Sequence, residues 1–156
     1  MCVRNMTSPA TVSDENGELV DQLVALSGAR KADRITVTGR ATLDVLLGLC
    51  RRGFLHAMCR TPKEPHVADR STESLWIVDA RNAAELRTLI AACGRDLSSN
   101  GTLVISVAHR YSMDWWAHLG DLLVICGFIP LQETHSTDHD FILCAPKQRA
   151  RQAIAA

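Results

Sequence analysis

The stretch Leu75-Trp76-Ile77-Val78 is apolar at every position rather than at every second one, Thr102-Leu103-Val104-Ile105-Ser106-Val107 comes close to it, and Ile35-Thr36-Val37-Thr38 is β-branched throughout. A strand of this kind has both faces covered, which is the signature of a parallel sheet inside an α/β fold. Helical stripes stand between the runs. Leu19, Val20, Leu23 and Val24 predict a first helix, stopped by Gly28. Leu43, Leu46, Leu47 and Cys50 follow the i, i+3, i+4, i+7 pattern and end at Gly53; with Val45 and Leu49 apolar on other faces, they predict a well-buried helix. Phe54 to Cys59 is expected to be a short strand, and Arg60 to Ser74, with Pro62 and Pro65, a loop. Asn82 and Glu85 stand in a capping-box relation ahead of the stripe Leu86, Leu89, Ile90 and Cys93, which Gly94 ends. Ser98-Ser99-Asn100-Gly101 predicts a turn. Trp115, Trp116, Leu119, Leu122, Leu123 and Cys126 form a further stripe closed by Gly127. Phe128 to Leu131 and Phe141 to Ala145 are strands on either side of the polar turn Thr134 to His139, close enough to pair antiparallel.

The fold class that follows is α/β: a three-layer sandwich with a mostly parallel sheet of about six strands and a C-terminal antiparallel hairpin. One domain is expected over residues 15–147, after a flexible lead-in at 1–14 and before a tail at 148–156. Seventeen basic residues balance seventeen acidic ones and only 4% of the chain is aromatic, so nucleic acid is not an expected partner. No apolar run reaches the ~18 residues of a membrane span, and the first residues lack the apolar core of a secretory signal. The six cysteines include no CxxC, and five of them lie in apolar periodic segments; they are expected to be reduced core thiols in a cytoplasmic protein.

The half of the chain from Leu75 to Lys147 carries LWIVDARNAAEL, DLSSNGTLVISV, LGDLLVICGFIPLQE and DFILCAPK. These segments resemble the C-terminal half of class I S-adenosylmethionine-dependent methyltransferases. The resemblance implies an acidic residue ending the fourth family strand, here Asp79. It implies a turn opening the fifth, here the one before Gly101, and a Gly-Phe entry into a reversed last strand pair, here Gly127-Phe128. The first half departs from the family pattern. Where the family has an acidic residue and a glycine-rich loop, the chain has Val37-Thr38-Gly39-Arg40-Ala41-Thr42, with one glycine and no acid. Where the family has a ribose-binding carboxylate, Cys59 and Arg60 stand. Arg60 to Ser74 is too short for the family's helix-strand-helix, so one edge strand is expected to be missing.

Ligands of parallel sheets sit beyond the carboxyl ends of the strands. That rule gathers the candidate cofactor-binding residues Gly39, Arg40 and Asp79 and the candidate catalytic residues His109, Arg110 and Tyr111 around one mouth. A histidine there can act as a base near neutral pH and an arginine can clamp an anion. Each also has a plainer role, as a loop residue or as a strand end bonded to local backbone. His135 and His139 with Asp138 and Asp140 carry metal-ligating groups, but a tight hairpin does not bring i and i+4 together, and no metal site is expected. Trp115 and Trp116 on one helix are the expected contact for a protein partner or a second copy. The functional expectation is a methyltransferase-fold protein that has lost S-adenosylmethionine binding and works as a non-catalytic binding or regulatory module, with no cofactor. The alternative is a small-molecule methyltransferase that holds S-adenosylmethionine in an atypical site.

Overall fold

The computed structural model describes residues 15–65, 71–112, 115–148 and 155. The elements are α1 (Glu15–Ser27), β1 (Ile35–Gly39), α2 (Thr42–Arg51), β2 (Ala57–Cys59), β3 (Thr72–Val78), α3 (Ala83–Cys93), β4 (Leu97–Ala108), the short α4 (His109–Ser112), α5 (Leu119–Ile125), β5 (Phe128–His135) and β6 (His139–Pro146). The lead-in at 1–14, Cys2, Arg70 and most of the tail lie outside the described residues.

The strands form one six-stranded sheet in the order β2-β1-β3-β4-β6-β5. The pairs β1–β2, β1–β3 and β3–β4 are parallel, and β6 runs antiparallel to both β4 and β5. The reversal expected for the last two strands therefore falls on β6 alone. The connection from β4 to β5 through α5 returns the chain to the end of the sheet where β4 begins, so β5 runs parallel with β4 at the far edge, and β6 turns back between them.

Alternation along each strand divides the core in two. Ile35, Val37, Trp76, Val78, Val104 and Phe141 face α1 and α2, where Leu19, Val20, Leu23, Val45 and Leu49 meet them. Leu75, Ile77, Leu103, Ile105, Val107 and Ile142 face α3 and α5, against Leu86, Leu89, Ile90, Leu119, Leu122 and Leu123. This is why β3 and β4 are apolar at consecutive positions over Leu75–Val78 and Leu103–Ile105: the side chains at i and i+1 enter different cores, each worth about 1.5–3 kcal/mol when fully buried.

Several expectations are corrected. On α2 the buried residues are Val45, Gly48 and Leu49, and the stripe Leu43, Leu47 and Cys50 faces solvent. The reason is Gly48: a Cβ there would lie 2.7 Å from Val20 Cγ2, so the bare side of α2 is where α1 packs. The second strand begins at Ala57 rather than Phe54, and β3 begins at Thr72, inside the expected loop. Ser98–Gly101 belongs to β4, yet the chain does bulge there: Thr72 pairs Leu97 and Ser74 pairs Thr102, so three extra residues of β4 fit between them. Of the described cysteines, all free, only Cys93 and Cys144 are buried; Cys59 and Cys126 are half-buried and Cys50 is exposed. No helix among the described residues is long and apolar enough to cross a membrane.

Candidate functional site

β1, β3 and β4 end on the same side of the sheet, at Gly39, Val78 and Ala108, and the β5–β6 turn folds over these ends. A cavity of about 490 Å³ opens there, lined by Glu18 and Gln22 of α1, by Asp79, His109 and Arg110, and by Ser136 to His139 of the turn. That volume lies in the range of small-molecule sites.

Asp79 sits at the floor, 7% exposed, with φ +57°, a left-handed conformation that among non-glycine residues Asp and Asn tolerate best. Its N–H donates to Ser106 O at 2.7 Å, and its Oδ1 accepts the Ala108 N–H at 2.9 Å. The carboxylate thus ties the end of β3 to the end of β4. His139 Nε2 lies 3.4 Å from the same oxygen. His109 donates its backbone N–H to Asp138 O at 2.9 Å, and its Nε2 lies 3.1 Å from Asp140 Oδ1. His135 Nδ1 approaches that same oxygen at 2.6 Å. The residues with metal-ligating groups on the hairpin therefore serve another purpose. Asp140 draws together a histidine from α4 and one from β5, while His139 turns to Asp79. Among the described residues no group of three or more His, Cys, Asp or Glu is arranged to hold a metal ion.

The tripeptide splits. His109 and Arg110 line the cavity. Tyr111 packs on the core beside α5, its carbonyl accepts Trp115 Nε1–H at 2.7 Å, and the Arg110 guanidinium lies 4.8 Å from its ring centroid. Trp115 and Trp116 are half-buried against that core with centroids 6.5 Å apart. They sit at the entry to a 3-10 turn at Trp116–His118, not on a continuous helix. Asp140, His135 and His139 are the members of this mouth that sequence reasoning did not place there. Their signal was the density of polar residues in one turn, and what it lacked was the knowledge that β6 inserts beside β4.

At the β1 end, Gly39 has φ +110°, and a Cβ on it would meet Val78 O at 2.1 Å. Arg40 donates its N–H to Val78 O at 2.8 Å, and its Nη2 lies 3.6 Å from Glu85 Oε1 on α3. Glu85 is itself held by Asn82, whose Oδ1 accepts the Glu85 N–H at 2.9 Å as the expected cap requires, while the Glu85 carboxylate accepts the N–H of Arg81, one residue before the cap, at 2.8 Å. At the β2 end, Cys59 Sγ–H donates to Thr42 O at 3.4 Å, and burial pushes this thiol upward from its ordinary pKa of 9.0. The Arg60 guanidinium forms an ion pair with Asp96, both side chains about nine-tenths buried.

No protein-family model and no curated protein sequence matches the chain. Solved structures do. The glycopeptide N-methyltransferase MtfA complexed with S-adenosyl-L-methionine aligns over 93% of this chain and 100% of its own, at 11% identity and a TM-score of 0.58. The CcbJ methyltransferase from Streptomyces caelestis aligns over 84% and 89%, at 8% identity and a TM-score of 0.56. The ribosomal protein L11 methylase from Lactobacillus delbrueckii subsp. bulgaricus aligns over 85% and 77%, at 9% identity and a TM-score of 0.57. The chain has the fold of class I S-adenosylmethionine-dependent methyltransferases.

Proposed function

We propose that this is a methyltransferase-fold protein that does not take up S-adenosylmethionine and acts as a non-catalytic binding or regulatory module in the reducing environment of the cytoplasm. The observation that carries the reading is that the chain itself engages the groups that the resemblance assigns to the cofactor. The bare side of Gly39 is filled by the Val78 carbonyl. The end of β2 offers a thiol committed to Thr42 and a guanidinium committed to Asp96 in place of a carboxylate for ribose. Asp79 accepts from Ala108 and faces His139. These residues do not fit the cofactor, and fold alone does not imply activity. The part-exposed Trp115–Trp116 pair is the proposed contact for a protein partner.

Calorimetric titration with S-adenosylmethionine and S-adenosylhomocysteine, with a thermal melt alongside, tests this. Ligand at a hundred times its Kd adds about 2.7 kcal/mol of stability, which for a domain of this size is a shift of roughly 5–10 °C. The expected result is no heat and no shift at millimolar ligand. Saturable binding overturns the reading. It would favour the second one, a small-molecule methyltransferase, for which the 490 Å³ cavity with His109 and Arg110 at its wall speaks.

A further inference from the structure

Among the described residues the sheet stops at β2, and no strand lies along its outer edge. Ile35 N–H donates to His56 O at 3.2 Å and Arg60 N–H donates to Val37 O at 2.9 Å. In a parallel ladder successive residues turn their backbone groups alternately to one neighbour and the other. His56, Met58 and Arg60 therefore face β1, and Ala57 and Cys59 direct both N–H and C=O outward. Among the described residues no strand pairs with that side. Such an edge is a template for another chain.

The ground beside this edge is apolar. On α2, Val45 and Leu49 face the sheet, while Gly48 and Arg52 face α1. The flank away from α1, above β2, carries half-buried Leu46 and exposed Cys50, with Leu43 beside them at 64% exposure. Leu55, just before β2, is 82% exposed.

We propose that β2 pairs antiparallel with β2 of a second copy of this chain, across a two-fold axis at Met58. The occupant follows from the spacing of the free groups. Directly opposed residues of an antiparallel pair exchange both hydrogen bonds or neither. Ala57 and Cys59 flank Met58 symmetrically, so Ala57 of one copy meets Cys59 of the other and every outward group finds its partner. The same rotation lays one α2 beside the other on one face of the joined sheet and covers both Leu43, Leu46 and Cys50 flanks, an isologous contact. An extended segment of a different protein would satisfy the backbone but leave that flank in water. The formal charge of zero means that no net repulsion opposes two copies.

Sedimentation equilibrium of the full chain is expected to show a concentration-dependent dimer. At the axis, opposed residues have Cα atoms about 4.5 Å apart, within disulfide reach. The Met58→Cys chain should therefore cross-link through position 58 of two copies on mild oxidation, as mapped by peptide mass spectrometry. Cys59→Pro deletes an outward N–H, keeps the ladder to β1, and should weaken the dimer about tenfold or more. Leu43→Glu with Cys50→Glu changes only exposed positions and should weaken it through the flank. If the proline variant fails to fold, the α2 variant and the cross-link decide. A monomer at every concentration, cross-links from position 58 to other cysteines instead, or a dimer unmoved by these variants overturns the proposal. So does a monomer that captures an unrelated strand peptide. None of these readouts depends on S-adenosylmethionine, so this proposal and the functional one fail separately.

Discussion

Replacing Gly39 by alanine tests the claim that this glycine serves the sheet rather than a ligand. Its φ of +110° is unfavourable for any L side chain, and its Cβ would stand 2.1 Å from Val78 O and 3.0 Å from both Val78 C and Val78 N. These are backbone atoms of a neighbouring strand, held in register from Ile35↔Ser74 to Gly39↔Val78 and by the Arg40 N–H bond to the same carbonyl. No rotamer change relieves the contact; β1 and β3 must separate at their carboxyl ends. The backbone conformation costs about 1–2 kcal/mol and the forced displacement about 1–3 kcal/mol. At roughly 2–4 °C per kcal/mol for a chain of this length, Tm should fall by about 4–20 °C. The assay is a circular-dichroism melt of both proteins without ligand, repeated in urea. A Gly39→Ala protein melting within about 2 °C of its parent refutes the reasoning, because the methyl group would then have found room that the strand pairing denies it.

Asp79→Ala should cost about 2–4 kcal/mol in urea unfolding, since it strands the buried Ala108 N–H and puts a Cβ-bearing residue with no polar compensation at positive φ. Asp79→Asn, which keeps an acceptor oxygen and tolerates that φ, should cost under about 1.5 kcal/mol. Asp96→Asn removes the counter-charge of the nine-tenths-buried Arg60 guanidinium and should destabilise by about 3–5 kcal/mol, read as a lower urea midpoint at unchanged slope. Burial pushes the Cys144 thiol up to about 12 from 9.0. A raised folded pKa means that the native state holds the proton longer, so this stabilising contribution is intact below pH 9 and is lost as pH rises from 9 towards 12, by up to about 4 kcal/mol. Unfolding midpoints of the parent and Cys144→Ala between pH 8 and 11 check the slope difference. At pH 8 a thiol reagent should label exposed Cys50 first and Cys144 only on unfolding.

The layers of this fold were legible because continuous apolar runs permit few arrangements. The helices were less so, and α2 shows why. Leu43, Leu46, Leu47 and Cys50 make the better hydrophobic stripe, yet Val45, Gly48 and Leu49 are the buried positions. Periodicity counts side chains, and Gly48 takes part in the core by lacking one: its bare backbone is the seat for Val20. A residue that packs through absence contributes nothing to an apolar pattern. The hairpin was legible, and its neighbour was not. Two strands with a short turn read as the antiparallel pair that is observed, but which neighbour β6 takes depends on the direction in which β5 arrives, and the stripe from Trp115 to Cys126 does not carry that information.

The candidate site inherits both the success and the failure. Strand ends can be located from the runs, and of the residues that the sequence gathers at the mouth, Asp79, His109 and Arg110 line the cavity while Gly39, Arg40 and Tyr111 do not. What each does there depends on partners far away in sequence. Asp79 meets Ala108 and His139; Arg60 meets Asp96; His109 and His135 converge on Asp140. Each of these polar groups is engaged by another part of the chain, and among the described elements no strand covers β2. The two facts point the same way. On the two proposals above, the carboxyl ends of the strands are held by the chain's own groups, and the hydrogen-bonding capacity left over among the described residues lies along β2. If both proposals hold, another strand rather than a small molecule is the ligand expected there.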